Sequence, residues 1–94
     1  MTVYEITATV DSSIRTEYER YMQQRHIPDL LATGYFRSVT FTRTGNRYRI
    51  SYVSDDLESY LANDADRLRA DFAAHFPTGV EVGREVWEIL EEWR

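Results

Sequence analysis

Apolar and polar residues alternate without interruption from residue 3 to residue 10. Tyr4, Ile6, Ala8 and Val10 fall on one side, and Val3, Glu5, Thr7 and Thr9 on the other. A period of two predicts a strand with one buried face. The period then lengthens. Asp11-Ser12-Ser13 supplies N-cap oxygens, and Ile14, Tyr18, Tyr21, Met22 and Arg25 follow at helical spacing. This predicts an amphipathic helix running to about His26. Pro28 lacks a backbone donor and crowds the preceding turn, so a separate short piece is expected from Pro28 to Ala32, stopped by Gly34.

Residues 35–44 and 47–54 alternate again, separated by Gly45-Asn46. A two-residue loop of this composition predicts a hairpin with a primed turn. Thr44 then pairs with Arg47, Phe41 with Ile50 and Val39 with Tyr52, which collects the apolar residues on one side. Thr42 faces Arg49 and Thr40 faces Ser51 on the other. Turn and alternation select the same register independently.

Asp55-Asp56 places acids at the start of a second helix. Its expected buried stripe is Leu57, Tyr60, Leu61, Ala65, Leu68, Phe72 and Phe76. Asn63-Asp64 is a candidate break, with Asp64 capping the second half, and Pro77 to Gly79 ends the helix. Residues 80–90 read as a final strand whose alternation slips near Gly83, which suggests a bulge. The order strand, helix, strand, strand, helix, strand predicts an α+β, ferredoxin-like βαββαβ domain. Right-handed crossovers give a four-stranded antiparallel sheet with both helices on one face. The first and third strands are expected as parallel neighbours in the middle.

Two helices cover one face only. The other face would carry Glu5, Thr7, Thr9, Ser38, Thr40, Thr42, Arg49 and Ser51. These are short, β-branched or charged side chains, without lysine. Two arrangements suit them: a hydrated sheet face, or packing against a second copy with Glu5 close enough to pair with Arg49. The last strand favours the second copy, because Val86, Trp87, Ile89 and Trp93 exceed what one domain can cover. The expected homodimer interface is Glu5, Thr7, Thr40, Arg49, Val86, Trp87, Ile89 and Trp93. The alternative is a frayed end with Trp93 lying on its own domain.

Length and charge narrow the choices. The 94 residues make one domain, 1–94, and 43% hydrophobic content can build a core. The absence of cysteine removes disulfides and thiolate chemistry and suits a cytoplasmic location. The first residues show no secretory signal, and no apolar run approaches the ~20 residues a membrane span needs. A net charge of −5 argues against nucleic-acid binding. An RNA platform would also need aromatics on the open face, where this chain has threonine and serine. The charge is uneven: Tyr35 to Ser54 holds four arginines and no acid, whereas Glu81 to Arg94 holds five glutamates and two arginines. Either these are solvated surface charges, or a basic hairpin and an acidic tail meet in self-association.

Tyr4-Glu5-Ile6, Leu57-Glu58-Ser59-Tyr60-Leu61, Ala65-Asp66-Arg67-Leu68-Arg69-Ala70-Asp71-Phe72 and Arg84-Glu85-Val86-Trp87-Glu88 resemble a small bacterial family of unknown function. That family belongs to the dimeric α+β barrel superfamily, and the resemblance covers nearly the whole chain. It implies two ferredoxin-like subunits packed sheet to sheet, often with an exchanged terminal strand. Relatives in the superfamily include cofactor-free monooxygenases, haem enzymes, isomerases and ligand-sensing modules, and fold alone does not choose among them. No catalytic residue is carried over.

Few residues offer chemistry. His26 suits a general base or a ligand to haem or metal, or else caps a helix C-terminus. The same pair of readings applies to His75. Two distant histidines without acids at ligand spacing make a poor metal site, and no metal or cofactor is expected. The seven tyrosines form either a tyrosine-rich core or, around His26 and an arginine, a pocket for a small aromatic or acidic molecule. Arg25 and Arg69 are anion-binding candidates or ordinary surface ion-pair members. The candidate ligand-binding set is therefore His26, Tyr4, Tyr52, Arg25 and Arg69. No nucleophile elbow or phosphate loop appears, and the residues decide neither for nor against catalysis. The expected function is a homodimer binding a small organic molecule between helices and sheet. The alternative is a non-catalytic structural or protein-interaction dimer.

Overall fold

The computed structural model describes residues 1–93. Strand β1 (Thr2–Val10) leads through a 3-10 turn (Ser12–Ile14) into α1 (Arg15–Tyr21), a π turn (Met22–His26) and α2 (Ile27–Ala32). Strands β2 (Phe36–Thr44) and β3 (Arg47–Ser54) follow, then α3 (Leu57–Asn63), α4 (Ala65–His75) and β4 (Val80–Glu88). The sheet order is β2-β3-β1-β4, with every pair antiparallel. This is the ferredoxin-like α+β layout.

The first and third strands are neighbours, but they are antiparallel rather than parallel. The helical crossover leaves β2 pointing the same way as β1. The hairpin then reverses direction once, so β3 must oppose β1. The hairpin itself matches the predicted register: Thr44 lies opposite Arg47, Phe41 opposite Ile50 and Val39 opposite Tyr52. Gly45 has φ +60° while Asn46 keeps a negative φ, which is the pattern of a type II′ turn.

Pro28 does not divide the first helix. The turn before it widens, and the Ile27 N–H reaches the Met22 carbonyl five residues back. This wider spacing makes room for the proline ring inside a continuous helical stretch. Gly34, at φ +84°, stops the helix as expected.

The second helix breaks after Asn63. Asp56 caps its first half by accepting the Ser59 N–H at 3.1 Å. Asp64 begins the second half without capping it, because its carboxylate accepts from Arg67 at 2.9 Å. Leu61, expected in the buried stripe, is exposed.

The expected bulge at Gly83 is absent. The β1–β4 register runs unbroken from Thr2 opposite Glu88 to Val10 opposite Val80. Gly83 lies opposite Thr7, and a Cβ there would come within 2.7 Å of the Thr7 hydroxyl oxygen. The irregularity occurs instead at the start of β2, between Phe36 and Ser38. It turns Phe36 toward the helices, where it is buried.

The core fills the space between helices and sheet. Tyr18, Leu30 and Leu68 from the helices meet Val10, Ile50 and Tyr52 from the strands, all fully buried. Buried Ser54 donates to the Tyr35 carbonyl and accepts the Asp56 N–H, joining the end of β3 to the start of α3. On the uncovered face, Arg49 Nε lies 3.5 Å from Glu5 Oε1, the pair expected across the central strands.

Candidate functional site

The covered face does not end where the helices end. β4 is one of the two edge strands, and its register places Val82 beside Ala8, Arg84 beside Ile6 and Val86 beside Tyr4. All three point to the helix side, yet Val82 and Val86 are exposed because no helix lies over them. The gap between β4 and the helical layer is a cleft. It leaves about 50 Å³ for the centres of water-sized groups, within about 500 Å³ of empty space that opens to solvent.

Each element contributes to this cleft. The sheet supplies the floor with Tyr4, Ile6 and Ala8 from β1, Tyr52 from β3, and Val82 and Arg84 from β4. The helical layer supplies Tyr18 and Leu30, with Met22 and His26 from the π turn. Tyr60, Arg69 and Phe72 close the remaining side. The apolar alternation of β1 thus makes one continuous surface of core and cleft floor.

His26 is not a helix cap, because the helix continues six residues beyond it to Ala32. It lies in the π turn, an irregularity often found at functional sites. Its ring is 5.3 Å from that of Phe72 and 6.1 Å from that of Tyr21. Burial among these rings pushes its pKa down to about 4. Asp29 and Asp71 oppose this shift, and Arg84 adds to it. At neutral pH His26 is therefore an uncharged imidazole.

Arg69 donates from Nη2 to the Tyr4 hydroxyl at 2.8 Å. Its Nε is buried and has no hydrogen-bond partner among the described residues. Burial raises the pKa of Tyr52, and it pushes that of Tyr60 up to about 12, so both phenols stay protonated. Among the described residues, no carboxylate lines the cleft. Among the described residues, neither Arg69 nor Arg84 forms an ion pair.

Four of the five candidate ligand residues, His26, Tyr4, Tyr52 and Arg69, meet in this cleft. Arg25 does not. Its guanidinium sits 5.5 Å over the Tyr21 ring on the outer side of the helices. His75 lies on that side too, stacked on Tyr21 at 4.2 Å and 3.4 Å from Glu17. Arg84 is a cleft residue that the sequence reading missed. Without a bulge, the Val80–Val82–Arg84–Val86 alternation places it on the helix side. Among the described residues, no three His, Asp or Glu side chains converge to hold a metal, and no helix is long and apolar enough to cross a membrane.

The residues expected at an interface divide between surfaces. Glu5, Thr7, Thr40, Arg49 and Trp87 share the open face, in cross-strand rows such as Thr40–Ser51–Glu5–Glu85. Val86 faces the helix side at the edge. Ile89 N–H bonds to the Met1 carbonyl, and Trp93 is 82% exposed rather than folded onto its own domain.

An open-edged ferredoxin-like sheet with a helix-side cleft defines the structural class. The chain belongs to the family described as a domain of unknown function (DUF4286), which it matches over residues 1–90. This agrees with the resemblance read from the sequence. No curated protein matches the chain.

Several solved structures share the fold. MupZ from Pseudomonas fluorescens superposes with a TM-score of 0.72 at 13% identity, covering 90% of this chain and 66% of MupZ. This chain thus spans just under two-thirds of that protein. A point mutant of MhuD, described with two manganese protoporphyrin IX molecules bound per active site, gives 0.69 at 14% identity, covering 100% of this chain and 99% of that one. A dimeric ferredoxin-like protein from an uncultured marine organism gives 0.67 at 9% identity, again covering 100% and 99%.

Proposed function

We propose that this protein is a homodimeric binding module for a small organic molecule, held in the cleft between the helices and β4. The observation that carries this reading is the convergence of His26, Tyr4, Tyr52 and Arg69 on one open-mouthed apolar cleft. Such a site, apolar with a few polar groups, is the usual form of a small-molecule pocket. The 50 Å³ left for group centres admits a few water-sized groups. A ligand of one ring would place its polar end inside and the rest in the mouth. MhuD is described with organic ligands in its active site, so this fold accommodates them. A macrocycle of that size does not enter this cleft as it stands.

The expected result is a saturable rise in Tm with members of a panel of single-ring aromatic compounds. His26→Ala should abolish it while remaining folded. If no compound stabilises the wild type, the binding reading fails, and the non-catalytic interaction dimer becomes the better account.

The dimer reading rests on the open face. The solvent-accessible surface is 6269 Å², whereas a compact monomer of 11.1 kDa exposes about 5,700 Å². The excess, about 600 Å², means that the single chain covers less of itself than a compact monomer of its mass does. A shallow groove of about 440 Å³, lined by Thr7, Thr42 and Arg49 among others, lies at the hairpin end of the sheet, beside this face. One structural neighbour is described as dimeric. The second copy covers Glu5, Thr7, Thr40, Arg49 and Trp87, and Val86, Ile89 and Trp93 extend the contact along the β4 edge. Trp87 is 54% exposed in the single chain. Trp87→Asp would force a charge into the contact and should raise the dimer dissociation constant at least a hundredfold. Sedimentation across a concentration series measures this, and unchanged association would remove Trp87 from the interface. The absence of cysteine suits a reducing cytosol, so we place the protein in the bacterial cytoplasm.

A further inference from the structure

We propose that the cleft selects a small organic carboxylate, held between the guanidinium groups of Arg69 and Arg84. This rests on the cleft being a ligand site and adds the charge class of the ligand. The first support is the orphaned Nε of Arg69. A buried donor without a partner is costly, more so on a charged group, and native structures seldom leave one unexplained. The Tyr4 hydroxyl occupies one terminal nitrogen of the same group. Because it accepts that bond, its own proton remains free to donate to a ligand oxygen.

The second support is independent and comes from β4. Its unbroken register brings Arg84 to the same cleft from the sheet, whereas Arg69 comes from α4, and Arg84 too lacks an ion-pair partner among the described residues. The third is the charge balance. The whole chain carries −5, yet among the described residues the cleft lining holds two cations and no acid. The nearby carboxylates act from outside the lining, Asp29 and Asp71 on His26 and Asp66 on Arg69. His26 is neutral, and Tyr52 and Tyr60 keep their protons, so the remaining polar groups offer donors without adding charge. A planar guanidinium fork matches a planar carboxylate, and the partly buried Phe72 ring lines the same cleft beside Arg69.

The test compares benzoate with benzamide, its neutral counterpart of the same shape, by NMR titration of the ¹⁵N-labelled wild type at constant ionic strength. Benzoate should bind at least tenfold more tightly, with the Arg69 Nε–H signal among those that move. Arg69→Gln and Arg84→Gln should each reduce that preference by about tenfold. Arg84 lies on an exposed edge strand, so its variant keeps the test decisive if Arg69→Gln fails to fold. Equal binding of both probes would overturn the carboxylate inference and leave the binding cleft standing. No shift at any cleft residue with either probe would overturn both. Inorganic phosphate matching benzoate in affinity would also overturn the choice of an organic carboxylate.

Discussion

Tyr18→Ala is expected to cost about 3–5 kcal/mol of folding stability, and Tyr18→Phe less than about 1 kcal/mol. Tyr18 is 1% exposed, and its ring joins the two layers. It lies 4.8 Å from Tyr48 on the sheet, 5.9 Å from Phe76 beyond α4 and 6.2 Å from Phe72 within it. Truncation to alanine removes the ring from all three at once and leaves a cavity the surrounding rings cannot fill. Phenylalanine keeps the ring and loses only a hydroxyl. A domain of 94 residues has about 5–14 kcal/mol in total, so the alanine variant would stand close to unfolding at 37 °C. Urea denaturation at fixed protein concentration reads both values. Equal losses for the two variants would show that the hydroxyl, not the ring, holds the layers together.

The second large effect is in acid. The His26 pKa is about 4 when folded and about 6.5 when unfolded. Between those values the unfolded chain binds a proton that the folded chain does not. Stability therefore falls as pH drops from about 6.5 to about 4, by up to about 3 kcal/mol from this group. Asp29 and Asp71 soften the loss, and Arg84 deepens it. His26→Gln removes the titration and leaves every other acid and base in place. The wild type should lose more stability than His26→Gln over that window, and the two should run parallel above pH 7. Parallel curves throughout would mean that His26 is solvated in the folded protein rather than buried beside the Phe72 and Tyr21 rings.

The sequence was most informative where two local signals agreed. The Gly45-Asn46 turn and the alternation on both sides set one register, and the structure has that register. The same alternation predicted which side of β1 is buried and brought Glu5 to Arg49. Reading failed where one residue type was given a single meaning. Pro28 suggested a helix boundary, because a widened turn that accepts proline has no sequence mark. Gly83 suggested a bulge, but it is a glycine that makes room for the Thr7 hydroxyl from the neighbouring strand. That contact depends on a pairing 76 positions apart and cannot be read locally. The bulge expectation also hid Arg84, since it interrupted the alternation that would have placed Arg84 on the helix side. His26, Tyr4, Tyr52 and Arg69 were recognisable as candidates, but only the folded chain shows that they share a cleft and that Arg25 does not.

The proposed function rests, above all, on a second copy of the chain covering the open sheet face. Light scattering of the wild type at micromolar concentration tests this most directly. The predicted result is a particle of about twice the 11.1 kDa chain mass. A particle of single-chain mass, with a normal cooperative unfolding transition, would contradict it.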